Sequence, residues 1–319
     1  DTGSTDENRK KLLDWVNFFG KKPNFYGIKI IQYDYYNFAK INNDVVKKYL
    51  SKKSSHVLFC NNDIRLLNDA IDRCLYLFKE KNKVGTVGIR LHYADYSIQH
   101  NGIELFFGMG KIMTLTHRNI HSYYRYDRAT VEVSGNTAAF LLMKRPVFEQ
   151  FYFNEGYKEC FEDVELNLQM LKIGRKNYQI GHAVAYHYES QTRNDDPNKI
   201  KKQIEDHQNH LLPFFKQHCV PLFFAQLFEG ASQASRTGQF EIAVDICKLL
   251  LEHAPQHPDV HHLLGVIHGW AGDQISAAKY IRQAIALNGQ MPSYHYNLAE
   301  ALRQLGEWMQ AEQSSPFKV

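Results

Sequence analysis

Four short segments carry side chains that could do chemistry. The chain opens with Asp1-Thr-Gly-Ser-Thr-Asp6, a turn-and-cap sequence in which Ser4, Thr5 or Asp6 can cap a following helix. Phe59-Cys-Asn-Asn-Asp63 follows the apolar run His56–Cys60, which reads as a central parallel strand. Ligands bind at the carboxyl edge of such sheets. A carboxylate there can hold Mg2+ or Mn2+ bridging a nucleotide diphosphate, since these cations prefer oxygen ligands and take only one or two from protein. A plain Asn-rich turn is the alternative. Glu162, Asp163 and Glu165 crowd the first turn of a helix read over Glu162–Ile173. Acidic residues there stabilise a helix by a few tenths to ~1 kcal/mol whatever else they do. His187 ends a short strand read over Ala183–His187, and a neutral imidazole can share Mn2+ with a carboxylate. Most single histidines are not ligands. Arg193 lies just beyond, with a forked donor that suits phosphate oxygens.

These residues need a frame, and the pattern supplies one. A helix starting near Glu7 has Leu12, Leu13, Val16 and Phe19 as its apolar face. Ile28–Tyr33 reads as a strand, Asp44–Leu50 as a helix, 66–79 as an amphipathic helix and Val84–Leu91 as a strand. Such alternation predicts βαβ units and a mixed, mainly parallel sheet. Residues 92–135 are less regular, and Ala138–Met143 is another apolar run. The polar stretch 190–202 reads as a mobile loop entering a charged helix.

Beyond it the character changes. Gly238, Gly272 and Gly306 are 34 residues apart, as are Ala243, Ala277 and Ala311, and Pro258 and Pro292. A 34-residue period with helix-turn-helix chemistry is the tetratricopeptide signature. The glycines permit the turn, and the small residues let paired helices approach. The spacing predicts antiparallel helix pairs from about Leu222 onward. The histidines His257, His261, His262, His268 and His295 are expected on a polar recognition groove.

Bulk properties narrow the classes. The chain has 319 residues, 44% hydrophobic and 23% charged, an ordinary globular composition with room for two domains. A net charge of +4 is too weak to make nucleic acid the main partner. Five scattered cysteines without a CxxC argue against a disulfide framework or zinc site and for a reducing, cytoplasmic compartment. No apolar run approaches the ~20 residues of a membrane span.

The four segments occur in the order found in inverting GT-A glycosyltransferases of the family-two, rhamnosyltransferase-like kind, and residues 1–193 resemble that family. Asp1-Thr-Gly-Ser-Thr-Asp6 resembles its Asp-Asn-Gly-Ser-Thr-Asp turn, whose first aspartate meets the nucleobase. Asn61-Asn-Asp63 resembles its Asp-x-Asp motif, with Asn61 at the first acidic position. Cys160–Gly174 resembles its Glu-Asp-x-Asp-Leu segment. Here Glu165 replaces the second aspartate, Asn167 and Gln169 replace commoner residues, and the usual arginine is absent. His187-Tyr-Glu-Ser190 and Arg193 resemble its closing strand. Weaker echoes lie at Asn37–Asn43, at Leu91-His-Tyr93 with Ser97-Ile-Gln-His100, and at Val133–Arg145.

The resemblance implies that Asp163 is the general base and Glu162 its helper. It implies that Asp63 and His187 hold Mg2+ or Mn2+, and that Asp1, Asn43, Asn61, Asn62, Asp63 and Arg193 bind a UDP- or dTDP-linked sugar. Gly135 and Asn136 are expected beside the acceptor or donor sugar. The family's first strand, which precedes the Asp1 turn, is not in the chain, so a fragment of a longer protein is expected at both ends. The expected domains are a GT-A domain over 1–215 and tetratricopeptide-type repeats over 222–319. The acceptor is a glycan or protein, the repeats bind a protein, and the enzyme works in the cytoplasm or at the inner face of the membrane. The competing readings are a catalytically degenerate scaffold and a nucleotidyltransferase. The latter would want a phosphate-gripping Lys/Arg loop after Asp1, which is not seen.

Overall fold

The computed structural model describes residues 1–21, 27–123, 128–188 and 197–314. Arg193 lies outside the described residues. The chain divides into two units: 1–102 with 121–211, and 103–120 with 212–319.

The first unit is a mixed α/β layer structure. Its elements begin with α1 (Asp6–Phe19), α2 (Phe38–Lys48), β1 (His56–Cys60), β2 (Ile64–Leu66), α3 (Ala70–Glu80), β3 (Val84–His92) and β4 (Ile98–His100). A hairpin of β5 (Ile103–Phe106) and β6 (Thr114–His117) interrupts it. It resumes with β7 (Thr130–Val133), β8 (Phe140–Lys144), α4 (Arg145–Phe151), α5 (Glu162–Lys172), β9 (Lys176–His187) and α6 (Pro197–Asp206). A single π-helical turn, His207–Leu211, follows.

The main sheet runs β1-β8-β3-β9-β2, with β4 on β3 and β7 on β9. The pair β3 and β9 is parallel. The strand β8 runs antiparallel between β1 and β3, so β1, β3 and β9 all point the same way. Alternation along β8 splits the core in two. Phe140 and Leu142 pack with α3 on one face, while Leu141 and Met143 pack with α2, α4 and α5 on the other. Every residue of β3 is buried, as befits a central strand.

Three expectations fail here. His56–Cys60 is an edge strand paired antiparallel to β8, not a central parallel one, and among the described pairs only β3 with β9 is parallel, because β8 returns between β1 and β3. Ile28–Tyr33 is not a strand: its backbone bonds run to Asp1, with Ile31 O accepting from the chain's amino group and Tyr33 N–H donating to Asp1 O. One residue alongside does not make a ladder. Helix α1 is capped by Thr5 as expected, yet it buries no residue, and Leu12 and Leu13 are exposed.

The second unit continues with α7 (Leu212–His218), a 3-10 turn at Val220–Phe223, α8 (Phe224–Arg236), α9 (Phe240–His253), α10 (Pro258–Trp270), α11 (Gln274–Leu287), α12 (Pro292–Gln304) and α13 (Trp308–Ser314). The helices pair as the 34-residue register requires. Gly238, Gly272 and Gly306 sit at the three turns with φ of +77°, +88° and +79°, a conformation that costs other residues about 1 kcal/mol or more. A Cβ on Gly265 would come within 2.6 Å of Ile281, so α10 and α11 touch through that glycine.

The histidines of the repeats face inward more than expected. His261 and His295, 34 residues apart, make the same bond: each ring Nε2 meets a carbonyl six residues earlier, Pro255 O and Gly289 O, both at 2.9 Å. His262 bonds Asn297, His257 packs on Phe224, and His268 meets Asp273. All five are half-buried, tying helices and turns together.

The hairpin 103–120 groups with this helical unit, which the sequence reading placed in the first domain. Its tip explains why. Gly108 and Gly230 approach so closely that a Cβ on the first would lie 2.3 Å from the carbonyl oxygen of the second, and Phe107 packs against Phe215 and Phe223.

Candidate functional site

The site is assembled by strand register. Asp63 immediately precedes β2, and Ile64 pairs with His187 in β9. Tyr188 N–H donates to Asp63 O at 3.1 Å, which fixes the Asn61–Asp63 turn against the end of β9. On the other side of the turn, Asn61 N–H donates to Ala139 O at 2.9 Å. The apolar run of β1 carries the chain to this point, and the polar triplet ends it.

His187 is buried and held from both ring nitrogens. Its Nδ1 lies 2.7 Å from Gln99 Oε1, an acceptor, so Nδ1 carries the proton. Its Nε2 faces the turn, 3.2 Å from Asn61 Nδ2 and 3.1 Å from Asp63 Oδ1. That carboxylate oxygen is buried and receives no hydrogen bond. An imidazole nitrogen and a carboxylate oxygen at this distance are held together by a proton or a cation between them. A neutral imidazole with its far nitrogen fixed by a carbonyl oxygen is the arrangement by which proteins orient a metal-binding histidine. The donor set, one carboxylate and one imidazole, fits a divalent cation that completes its shell with substrate oxygens and water. No group of three or more His, Cys, Asp or Glu side chains suited to a metal occurs among the described residues.

Asp163 stands in the first turn of α5. Its Oδ2 accepts from Ala138 N–H at 2.8 Å and its Oδ1 from Val164 N–H at 2.7 Å. Residues 137–139 thus link the two halves of the site, with Ala138 on Asp163 and Ala139 on Asn61. Thr137 N–H reaches the His100 ring at 3.4 Å, next to the Gln99 that orients His187. Glu162 is buried in the same turn.

Asp1 closes its own turn. Its Oδ1 accepts from Gly3 and Ser4 N–H, and its Oδ2 meets Arg9 at 3.4 Å. Asp1 and Asn62 line one open cleft of about 1380 Å³, together with Tyr33 and Tyr49.

Three expected site residues serve packing instead. Asn43 is buried and spans the chain at Phe153, donating to Phe153 O at 2.8 Å and accepting from Phe153 N–H at 2.9 Å. Asn136 is fully buried, with its amide on Thr86 Oγ1 and Tyr178 O. Gly135 is glycine because a Cβ would lie 2.9 Å from the Asn167 side chain. Asn167 joins the same interior network, accepting from Asn136 N–H and donating to Asn136 O and Asp163 O. The departures in α5 therefore have a local cause. Asn167 ties α5 to the sheet, and the buried Glu165 accepts from Tyr157 Oη and Asn154. Burial first, then the Glu165 charge, raises the Tyr157 phenol well above its ordinary pKa and keeps it a donor.

No protein-family profile matches the chain. Over 172 residues it is 28% identical to uncharacterized protein y4gI of Sinorhizobium fredii, covering 51% of this chain and 18% of that one. Over 165 residues it is 26% identical to the O-antigen biosynthesis protein RfbC of Myxococcus xanthus, covering 50% and 13%. The matched part thus spans less than a fifth of either relative. Among solved structures, GalNAc-T7 with UDP, GalNAc and Mn2+ overlaps 65% of this chain and 40% of its own at 9% identity, with a TM-score of 0.49. The first TPR of Spaghetti (RPAP3) bound to an HSP90 peptide overlaps 28% and 70% at 17% identity, with a TM-score of 0.27. At such scores the fold rests on the chain's own strand order and repeat geometry.

Gln99, which accepts from His187 Nδ1, carries no signal in the sequence that marks it for the site. It lies within the Ser97–His100 echo, but nothing in its type distinguishes a ligand-orienting glutamine from a solvated one. No helix among the described residues is long and apolar enough to cross a membrane.

Proposed function

We propose that the protein transfers a sugar from a nucleoside-diphosphate sugar, UDP- or dTDP-linked, to a hydroxyl of a glycan or protein, with inversion. The observation that carries this reading is the approach of His187 Nε2 to Asp63 Oδ1, 3.1 Å at the strand ends, one loop away from the Asp163 carboxylate. The relative named for O-antigen biosynthesis supports a sugar substrate, and the order of motifs from Asp1 to His187 supports the family.

Asp63 and His187 would hold Mg2+ or Mn2+, which when bound stabilises the departing diphosphate oxygens as a Lewis acid. Gln99 accepts from His187 Nδ1 and so turns Nε2 toward Asp63. Asn61 donates to that ring and limits its rotation. Asp1 and Asn62 flank the cleft for the nucleoside, with Arg193 available to the diphosphate. Asp163, its carboxylate oriented by the Ala138 and Val164 amides, is the base for an acceptor hydroxyl. The acceptor oxygen forms its bond to the anomeric carbon as the carbon–phosphate oxygen bond breaks. The hydroxyl proton passes to Asp163, and the electron pair leaves with the diphosphate. A weak base suffices because the proton moves as bond formation advances. The repeats are read as a docking surface for a protein acceptor or partner.

The product's anomeric configuration, followed by NMR in the full-length protein with Mn2+, tests the reading. A product of opposite configuration to the donor is expected. Retention would require a covalent step that Asp163 at this position does not provide. In the same assay Asp63→Asn should raise the Mn2+ concentration needed for half-maximal rate by at least tenfold. An unchanged requirement would remove Asp63 from the metal.

A further inference from the structure

The loop that delivers Glu162 and Asp163 is held by a residue that no motif includes. Asp206, the last residue of α6, is 1% exposed. Its carboxylate accepts from three consecutive backbone amides: Lys158 N–H at 3.0 Å to each oxygen, Glu159 N–H at 2.7 Å and Cys160 N–H at 3.1 Å. Charge-assisted bonds of this kind are roughly twice as strong as neutral ones, and consecutive amides converging on one anion form a rigid nest. The next residue, Phe161, has φ +81° and ψ −1°, a left-handed conformation unfavourable to an aromatic side chain. Such a conformation persists only where its surroundings over-determine it, and it clusters where geometry matters to function. Its surroundings are the amides fixed by Asp206 on one side and the first turn of α5 on the other, where Phe161 O accepts Glu165 N–H at 2.9 Å. The π-helical turn that follows Asp206 adds two ring contacts to the same loop, His207 edge-on to Phe161 at 5.9 Å and His210 against Tyr157 at 5.1 Å.

We propose that Asp206 is a positioning residue for the transfer reaction: by gripping the amides of 158–160 it forces Phe161 into its left-handed conformation and so sets the direction in which Asp163 enters the site. This rests on the reading of Asp163 as the base. A purely structural role would need only a compact loop. The strained Phe161 and the doubled Lys158 contact instead specify one entry geometry into α5. If the grip is released, the Ala138 and Val164 bonds to Asp163 loosen, and the base both misaligns and loses donors that favour its ionised form.

The test uses Asp206→Asn in the full-length protein. Asparagine keeps the size, loses two acceptor positions and sets an NH2 group against backbone N–H donors. The expected result is a kcat lower by at least tenfold, a KM for the sugar nucleotide within twofold of wild type, and an acid limb of the kcat–pH profile shifted to higher pH. Amide hydrogen exchange of the peptide 156–163 should quicken while that of β3 and β9 does not. A folded variant with unchanged kcat and unchanged exchange overturns the proposal. Phe161→Gly is the second arm, needed if Asp206→Asn does not fold. Glycine accepts the left-handed conformation without cost and loosens the loop, so kcat should fall although the melting temperature holds or rises. Undiminished kcat in that variant also overturns the proposal. If the wild-type protein turns over no sugar nucleotide, the functional reading fails. The exchange measurement then still decides whether Asp206 grips the loop.

Discussion

At the scale of single residues the proposed chemistry falls to three side chains, Asp63, His187 and Asp163. Asp163 accepts from Ala138 N–H with one oxygen and from Val164 N–H with the other, which fixes its carboxylate in the first turn of α5. Asp163→Asn preserves the volume and removes the base. Transfer should therefore fall by far more than tenfold, a change that corresponds to about 1.4 kcal/mol in the barrier. Donor affinity, measured by titration calorimetry, should change little, because the loss is in the transition state. Residual turnover above a tenth of wild type would show that Asp163 is not the base. The meeting of Asp63 and His187 was legible in the sequence because each stands at the end of an apolar run, and strand register brings the two together. Asn43, Gly135 and Asn136 were misread for a physical reason. A buried asparagine that satisfies a neighbouring backbone has the same sequence signature as one that meets a ligand. Only the location of its partner tells them apart, as the Asn43–Phe153 bonds show.

At the scale of elements, the repeats were the most legible part. Their period appears in glycine, alanine and proline independently, and each glycine falls at a turn with positive φ. The Ile28–Tyr33 segment was the least legible, because a strand exists only through a neighbour that pattern cannot name. The histidines of the repeats give a pH prediction. Burial holds the His262 imidazole below its ordinary pKa, against a smaller opposing pull from Asp259. Folding therefore favours the neutral ring, and the unfolded chain binds more protons between the folded pKa and about 6.5. The contribution to stability is fully present above about pH 6.5 and is lost as pH falls from there through the folded value. Urea unfolding followed by Trp270 and Trp308 fluorescence should show a lower midpoint at pH 5.5 than at pH 7.5. The drop should shrink in His262→Gln, which keeps a partner for Asn297. An equal drop in that variant would assign the effect to other groups.

At the scale of the whole molecule, the interrupted first unit matters most. The hairpin 103–120 leaves that unit and belongs to the helical one through Phe107 and the Gly108–Gly230 approach. A cut at Leu211 therefore strands the hairpin: Phe107 and Met113, 7% and 0% exposed in the intact chain, lose their setting. Residues 1–211 expressed alone should aggregate or melt early. The same piece with 103–120 replaced by a short Gly-Ser linker should remain soluble on size-exclusion chromatography. If the unmodified piece is as soluble as the linker version, the hairpin does not depend on the helices. Deletion of the repeats is thus a poor test of their role in acceptor choice unless the hairpin is dealt with as well.

Release of nucleoside diphosphate by the full-length protein from a panel of UDP- and dTDP-linked sugars with Mn2+, followed by mass spectrometry, decides whether the protein is a sugar transferase. At least one donor should be turned over, slowly to water and faster with acceptor. EDTA should abolish the release, and His187→Ala should lower it at least tenfold at limiting Mn2+ while the protein stays folded. A folded full-length protein that neither binds nor turns over any sugar nucleotide, with or without Mn2+, would contradict the proposed function and leave the α/β unit as a scaffold for the repeats.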